Sequence, residues 1–238
     1  MTADELPSVW TRQRRSRDQP ALNRAQIVAE AVALLDAEGI DALTMRRLGT
    51  RLDAGATSLY RHVANRDELI ELVVDEVYGE IRVPAVGDDW RAAVSGCAAS
   101  VREMILRHPW IASLLGQVGL SYLGPNVMRL NEGMMVLLAD AGFPADEAGP
   151  VISTVLAYVI GIGVNEAAWL TTLARSGQTE QDWQRRLGPA LTRAVEDYPS
   201  LRAQQEQLVG QDPTALRDRN FAYGLDRVLD GLEPRRRA

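Results

Sequence analysis

The residues best placed for chemistry lie near the N-terminus. Ala56, Thr57 and Ser58 are small, and Tyr60, His62 and Arg66 follow them at close spacing. Small side chains at the start of a short helix let its backbone approach base edges in a groove about 12 Å wide. Hydroxyl, imidazole and guanidinium donors just beyond can reach phosphate oxygens, contacts that fix register rather than sequence. The chemistry indicated is recognition of a polyanion. Catalysis is not indicated. The chain has two histidines and one cysteine, Cys97. It has no Gly-x-Ser-x-Gly, no phosphate loop and no metal-ligand spacing, so nothing pairs a nucleophile with its base. Gly161-Ile162-Gly163 follows no strand and is not a dinucleotide site. No enzyme activity, cofactor or metal is expected.

The elements that must position these residues read as helices. Asn23 and Gln26 have capping-box spacing, Ile27, Ala31, Leu34 and Leu35 form an apolar stripe, and Gly39 supplies a stop. Thr44 is a good N-cap for a short second helix with Met45, Leu48 and Leu52 on one face. After a break at Asp53-Ala54-Gly55-Ala56, a third helix is expected over Thr57–Val63, burying only Leu59 and Val63. It cannot stand alone and needs the first two as a platform. Asn65 and Glu68 suggest another capping box, opening a fourth helix to about Arg82. Two short helices joined by a tight turn, the second polar, are the ingredients of a helix-turn-helix.

Charge follows the same division. The net charge is −6, yet Ser8–Arg66 sums to +4 and the remainder to −10. A basic module facing a polyanion and an acidic body that avoids it fit this asymmetry. All 26 basic residues are Arg. Residues 1–20, with Arg12, Arg14, Arg15 and Arg17, read as a flexible basic arm. The start is acidic and polar rather than signal-like, and the apolar run Val151–Val164 is short of the ~20 residues a bilayer needs. A cytoplasmic protein without a membrane partner is expected.

The segments Leu43-Thr44-Met45-Arg46-Arg47-Leu48, Ser58-Leu59-Tyr60-Arg61-His62-Val63 and Asn65-Arg66-Asp67-Glu68-Leu69 resemble the DNA-binding domain of the TetR family of repressors. The stretch Asn220–Arg227 resembles the last helix of the tetracycline-repressor-like branch. The resemblance implies an all-α protein: a three-helix helix-turn-helix domain over 21–82, then a larger helical bundle over 83–238 that dimerises and encloses a ligand. It implies that Arg46 reaches a base or nearby phosphate, that Ala56, Thr57 and Ser58 face base edges, and that Tyr60, His62 and Arg66 hold the DNA backbone, with Thr44 in the same DNA-facing set. Asp53 stands where the family usually has Gly; Asp tolerates a left-handed turn better than most residues. The implied partners are a double-stranded DNA operator, a small-molecule inducer and a second copy of the chain. A protein partner instead of a small molecule is the alternative.

Within the body, helices are expected over Trp90–Arg107, Pro109–Leu115, from Pro125 to Gly142, over Asp146–Arg175, from Thr179 to Asp197, and from Asp212-Pro213 to Gly231. Trp110, Leu114, Tyr122, Met128, Met134, Met135, Tyr158 and Trp169 are the candidate ligand lining, because Met and aromatic side chains adapt to flat apolar molecules. Val155, Val159, Phe221, Leu225 and Val228 are the candidate dimer seam. Gly161 and Gly163 serve either close packing or a ligand. The tetracycline branch holds a magnesium-bound drug with a His and an acidic residue. His108 and Glu166 fall near those places, but Pro109 and Trp110 stand where polar residues belong, so a structural role is expected for His108, with metal-chelate binding by the pair as the lesser alternative.

Overall fold

The computed structural model describes residues 22–83, 89–117 and 122–236, and among them there are helices and no strand. The basic arm, most of the joint after Val83, part of the loop before Pro125 and the Ala56 side chain lie outside the described residues.

Local capping starts most of the helices. Helix α1 (Arg24–Glu38) opens with the full Asn23/Gln26 box, and the Gly39 N–H, at φ 81°, returns to the Leu35 carbonyl. Helix α2 (Met45–Arg51) is capped by the Thr44 hydroxyl, which accepts from the Arg47 N–H at 3.2 Å. Asp53 follows at φ 48°, the only non-glycine with positive φ among the described residues. Helix α3 covers only Ala56–Leu59, shorter than the sequence suggests, and the chain continues as a turn to His62. Helix α4 (Arg66–Tyr78) is capped by Asn65, but the box is incomplete: the Glu68 carboxylate accepts from Ala64 N at 2.6 Å, one residue early.

The body comprises α5 (Trp90–Arg107), a 3-10 turn (Pro109–Ser113), α6 (Pro125–Asp140), α7 (Ala145–Ser176), α8 (Glu180–Ala194), α9 (Pro199–Leu208) and α10 (Pro213–Leu232). Helix α7 runs through Pro150 and packs on α5 and α10; α4 packs on α6. By length and composition alone α7 is apolar enough to cross a membrane, which the shorter run read from sequence was not. One continuous apolar core extends from α1 to α10. Helix α9 has no counterpart in the sequence reading. Neither α8 nor α9 contributes a buried residue, and Leu187, Leu191, Tyr198 and Leu201 stay exposed.

Candidate nucleic-acid interface and effector cavity

Helix α3 is held from beneath and leaves its polar side open. Leu59 and Val63 are buried in the core, while Thr57, Ser58 and Tyr60 face outward, Tyr60 being 51% exposed. Neighbouring arginines divide into two groups. Arg47 pairs with Glu38, Arg51 with Glu30, and the Arg24 guanidinium donates to the His62 carbonyl at 3.3 Å. Among the described residues, the exposed Arg46 and Arg61 side chains make no ion pair or hydrogen bond. Arg46 lines a shallow depression with Gly49, Thr50, Asp53, Ala54 and Gly55, between α2 and α3. The exposed donors therefore collect around the turn and α3, a surface shaped for a polyanion. His62 is half-buried beside them.

Arg66 behaves differently from the sequence expectation. Its Nε donates to the Leu43 carbonyl at 2.9 Å and a terminal nitrogen donates to the Ile40 carbonyl at 3.1 Å. The guanidinium is occupied in clamping the α1–α2 connection onto α4, adding a second donor to the Ile40 carbonyl, which already accepts from the Leu43 amide at 3.3 Å. Thr44 likewise uses its hydroxyl as the α2 cap.

In the body, a narrow cavity of about 20 Å³ lies between α5, α6 and α7. Val94, Cys97, Ala98 and Val101 line it from α5, Leu130, Asn131 and Met134 from α6, and Ile152, Val155 and Leu156 from α7. Burial pushes the Cys97 thiol up to about 11, so it is an inert apolar wall rather than a nucleophile. Of the expected ligand residues, only Met134 lines this cavity. Met128 and Met135 are each 40% exposed on α6. Leu114 is buried core, and Tyr122 is half-buried against it. The Trp110 indole donates to Asp36 Oδ1 at 2.7 Å, the Tyr158 hydroxyl donates to the Phe221 carbonyl at 2.9 Å, and the Trp169 indole donates to Glu180 at 2.9 Å. Each ring is engaged by its own polar partner, as buried Tyr and Trp usually are. The α5 spacing 94, 97/98, 101 was the usable sequence signal for the cavity.

The proposed dimer residues also change role. Val155, Val159, Phe221 and Leu225 are buried within the single chain, and Val228 is half-buried on the same core. They form the α7–α10 seam of one chain, with Tyr158 stacked on Phe221 at 5.9 Å. Gly224 permits that approach, since a Cβ there would fall 2.2 Å from the Tyr158 hydroxyl. Exposed on α7 are the small residues Ser153, Ala157 and Gly161, with Thr154, Ile162, Asn165 and Ala168; α10 presents Ala222 and Tyr223.

Glu166 and His108 are both engaged. Glu166 is buried and accepts two hydrogen bonds from Arg102, at 2.7 and 2.8 Å, and one from Arg217 at 2.8 Å. Arg217 also pairs with Glu180, which holds that carboxyl below its ordinary value. Two guanidiniums thus take three of the four lone-pair sites of this carboxylate and neutralise its charge. Both His108 ring nitrogens meet carboxylates, Asp36 and Glu80, on opposite sides of the ring.

Further polar ties join α4 to the body. Asp75 accepts from the Asn126 and Val127 amides at 2.9 and 3.1 Å, capping α6 from another helix. Arg129 reaches the Gly79 and Ile81 carbonyls, and the Arg82 amide donates to the Ser100 hydroxyl at 3.0 Å. These contacts tie α4 and its C-terminal end to α6 and, through Ser100, to α5.

Known proteins share this arrangement. Residues 27–73 match the bacterial regulatory proteins of the tetR family, and residues 83–236 match the tetracyclin repressor-like C-terminal domain. The chain is 37% identical over 203 residues to an HTH-type transcriptional regulator of Saccharopolyspora erythraea, covering 84% of this chain and 83% of that one. It is 34% identical over 239 residues to the HTH-type transcriptional repressor DrrR1 of Streptomyces coeruleorubidus, covering 97% and 85%. The structure of the Streptomyces coelicolor TetR family protein ActR in complex with actinorhodin superimposes with a TM-score of 0.73 at 32% identity, covering 90% of this chain and 96% of that one. The exposed polar helix α3 on its apolar platform, the helical body behind it and these matches to both segments together make the chain a member of the TetR family of bacterial transcriptional regulators.

Proposed function

We propose that the chain is a homodimeric repressor that binds a palindromic operator through residues 21–82 and is released when a flat, largely apolar molecule enters the cavity of residues 83–238. The observation that carries this reading is the unpaired donor surface around α3: Tyr60, Arg46 and Arg61 stand exposed while Arg24, Arg47, Arg51 and Arg66 are held by protein partners. Thr57 and Ser58 face base edges in this reading, Ala56 opens the helix beside them, Tyr60 and His62 contact phosphates, and Arg66 clamps the α1–α2 connection onto α4 rather than touching DNA. The protein acts in the cytoplasm, where its operator is.

The ligand class follows from the cavity wall, which is apolar apart from Asn131. ActR binds actinorhodin and (S)-DNPA, and DrrR1 is a repressor, which supports both halves of the reading. The cavity is narrow, so a larger molecule must part α6 from α5 and α7. A ligand that favours the parted arrangement shifts the population toward it. Two copies must sit about 34–36 Å apart on DNA. Tilting α4 through Asp75 and Arg129 changes that spacing. A coupling of about 1–3 kcal/mol would change DNA affinity about 5–150-fold, and DNA must weaken ligand binding by the same factor.

The test is selection of bound fragments from genomic DNA, followed by titration at several salt concentrations. Affinity must fall as salt rises. Tyr60→Phe weakens binding to all sequences, whereas Thr57→Ala or Ser58→Ala alters base preference. Salt-independent binding, or no bound fragment, overturns the reading.

A further inference from the structure

His108 ends α5 and is nearly enclosed, its side chain 4% exposed. Nδ1 lies 2.7 Å from Asp36 Oδ1 on α1, and Nε2 lies 3.1 Å from Glu80 Oε1, just past α4. Asp36 Oδ1 also accepts from the Trp110 indole at 2.7 Å. One ring thus joins two elements of the N-terminal unit to the first turn of the body. A neutral imidazole has one N–H and one lone pair. Two carboxylates can both accept from this ring only when both nitrogens carry hydrogen.

We propose that His108 is a proton-operated latch between the N-terminal helices and the body. The charged ring holds Asp36 and Glu80 together; loss of one proton releases Glu80. The order follows from the distances. The shorter contact is to Asp36, which Trp110 orients, so the remaining hydrogen stays on Nδ1. The Nε2 lone pair then faces the Glu80 carboxylate, and that contact turns repulsive. Glu80 keeps its pair with Arg107. The charged and titratable groups facing the ring are therefore Asp36 from α1, Glu80 beyond α4 and Arg107 from α5. Helix α7 also packs on the Pro109–Ser113 turn, but its Glu147 pairs with Arg235, its Glu166 with Arg102 and Arg217, and Asp146 and Arg175 stand at its ends. The contact to Glu80 is present at low pH and lost as pH rises. The latch would make the α4 end, and with it the presentation of α3, responsive to pH as well as to the ligand.

The experiment uses the full chain labelled with 15N-histidine. There are two histidines, and His62→Asn assigns their signals. At the acid end of a pH series both His108 nitrogens should report hydrogen; on raising the pH Nε2 should lose it while Nδ1 keeps it. Over the same interval the protection of the Glu80 and Ile81 amides, corrected for intrinsic exchange, should fall about tenfold, as for loss of one charge-assisted hydrogen bond. His108→Asn retains a donor toward Asp36 and should show the low protection at every pH. Glu80→Gln should flatten the profile, because an amide can donate to Nε2 or accept from it. A His108 ring that is neutral across the series, or an unchanged protection profile in both variants, overturns the latch. Neither measurement involves DNA, so its failure is distinct from failure of the operator reading.

Discussion

Asp75→Ala isolates the tie between α4 and α6. Helix α6 begins Gly124-Pro125, and Gly124 has no side chain to cap it. The half-buried Asp75 carboxylate takes that role from α4, accepting from the amides of Asn126 and Val127 and from the Asn126 side chain at 3.2 Å. Losing an N-cap costs about 1 kcal/mol. Removing a negative charge from a helix N-terminus adds about 0.5–1 kcal/mol. Leaving the Val127 amide, on a residue 1% exposed, without a partner adds about 1 kcal/mol or more. The total is about 3 kcal/mol, or roughly 6–12 °C in Tm for a chain of this size. Asp75→Asn, which retains an acceptor without the charge, should cost about half as much. Thermal and urea denaturation at fixed protein concentration measure both. Gly124→Ala gives an independent check: a Cβ there would lie 2.2 Å from Asp75 Oδ1, so it too should destabilise. If Asp75→Ala costs under about 1 kcal/mol, water replaces the carboxylate at α6 and this tie cannot transmit the motion of α6.

Other predictions separate the remaining roles. Leu225→Arg places an unpaired charge in the intrachain α7–α10 seam and should unfold the body, whereas Ala157→Arg on the exposed α7 face should give a folded monomer by sedimentation if that face is the dimer contact. Glu166→Gln leaves Arg102 and Arg217 facing each other without their carboxylate and should cost about 3 kcal/mol in urea denaturation. The Glu180 carboxyl is held below its ordinary value chiefly by hydrogen bonding from Arg217. Its contribution is therefore fully present above the ordinary carboxylate range and is lost as pH falls through its lowered value. Acid titration of tryptophan fluorescence, reporting the Trp169–Trp183 contact at 5.5 Å, should show that loss in the wild type and not in Glu180→Gln.

The sequence determined whatever depends on residues three or four apart. Asn23, Thr44, Thr179 and Asp212 each start a helix because the side chain and the amide it satisfies lie three residues apart. The short polar α3 was legible because Leu59, and Val63 just beyond it, are the only apolar anchors there, and the left-handed turn at Asp53 only through the family resemblance, in which Gly usually stands at that place. Tertiary structure decided which partner each face meets. The α7 stripe of Val155 and Val159 and the α10 stripe of Phe221 and Leu225 are equally suited to a second chain or to each other, and here they meet each other. Arg66 has the charge for a phosphate, but the Ile40 and Leu43 carbonyls of the α1–α2 connection lie within its reach. Helix α9 carries too few regularly spaced apolar residues to be seen, and buries none. The Asp75 cap on α6 and the two carboxylates on His108 join residues 28 to 72 positions apart. No local pattern encodes such pairs, because a hydrogen bond depends on distance in space, and chain packing alone sets that distance.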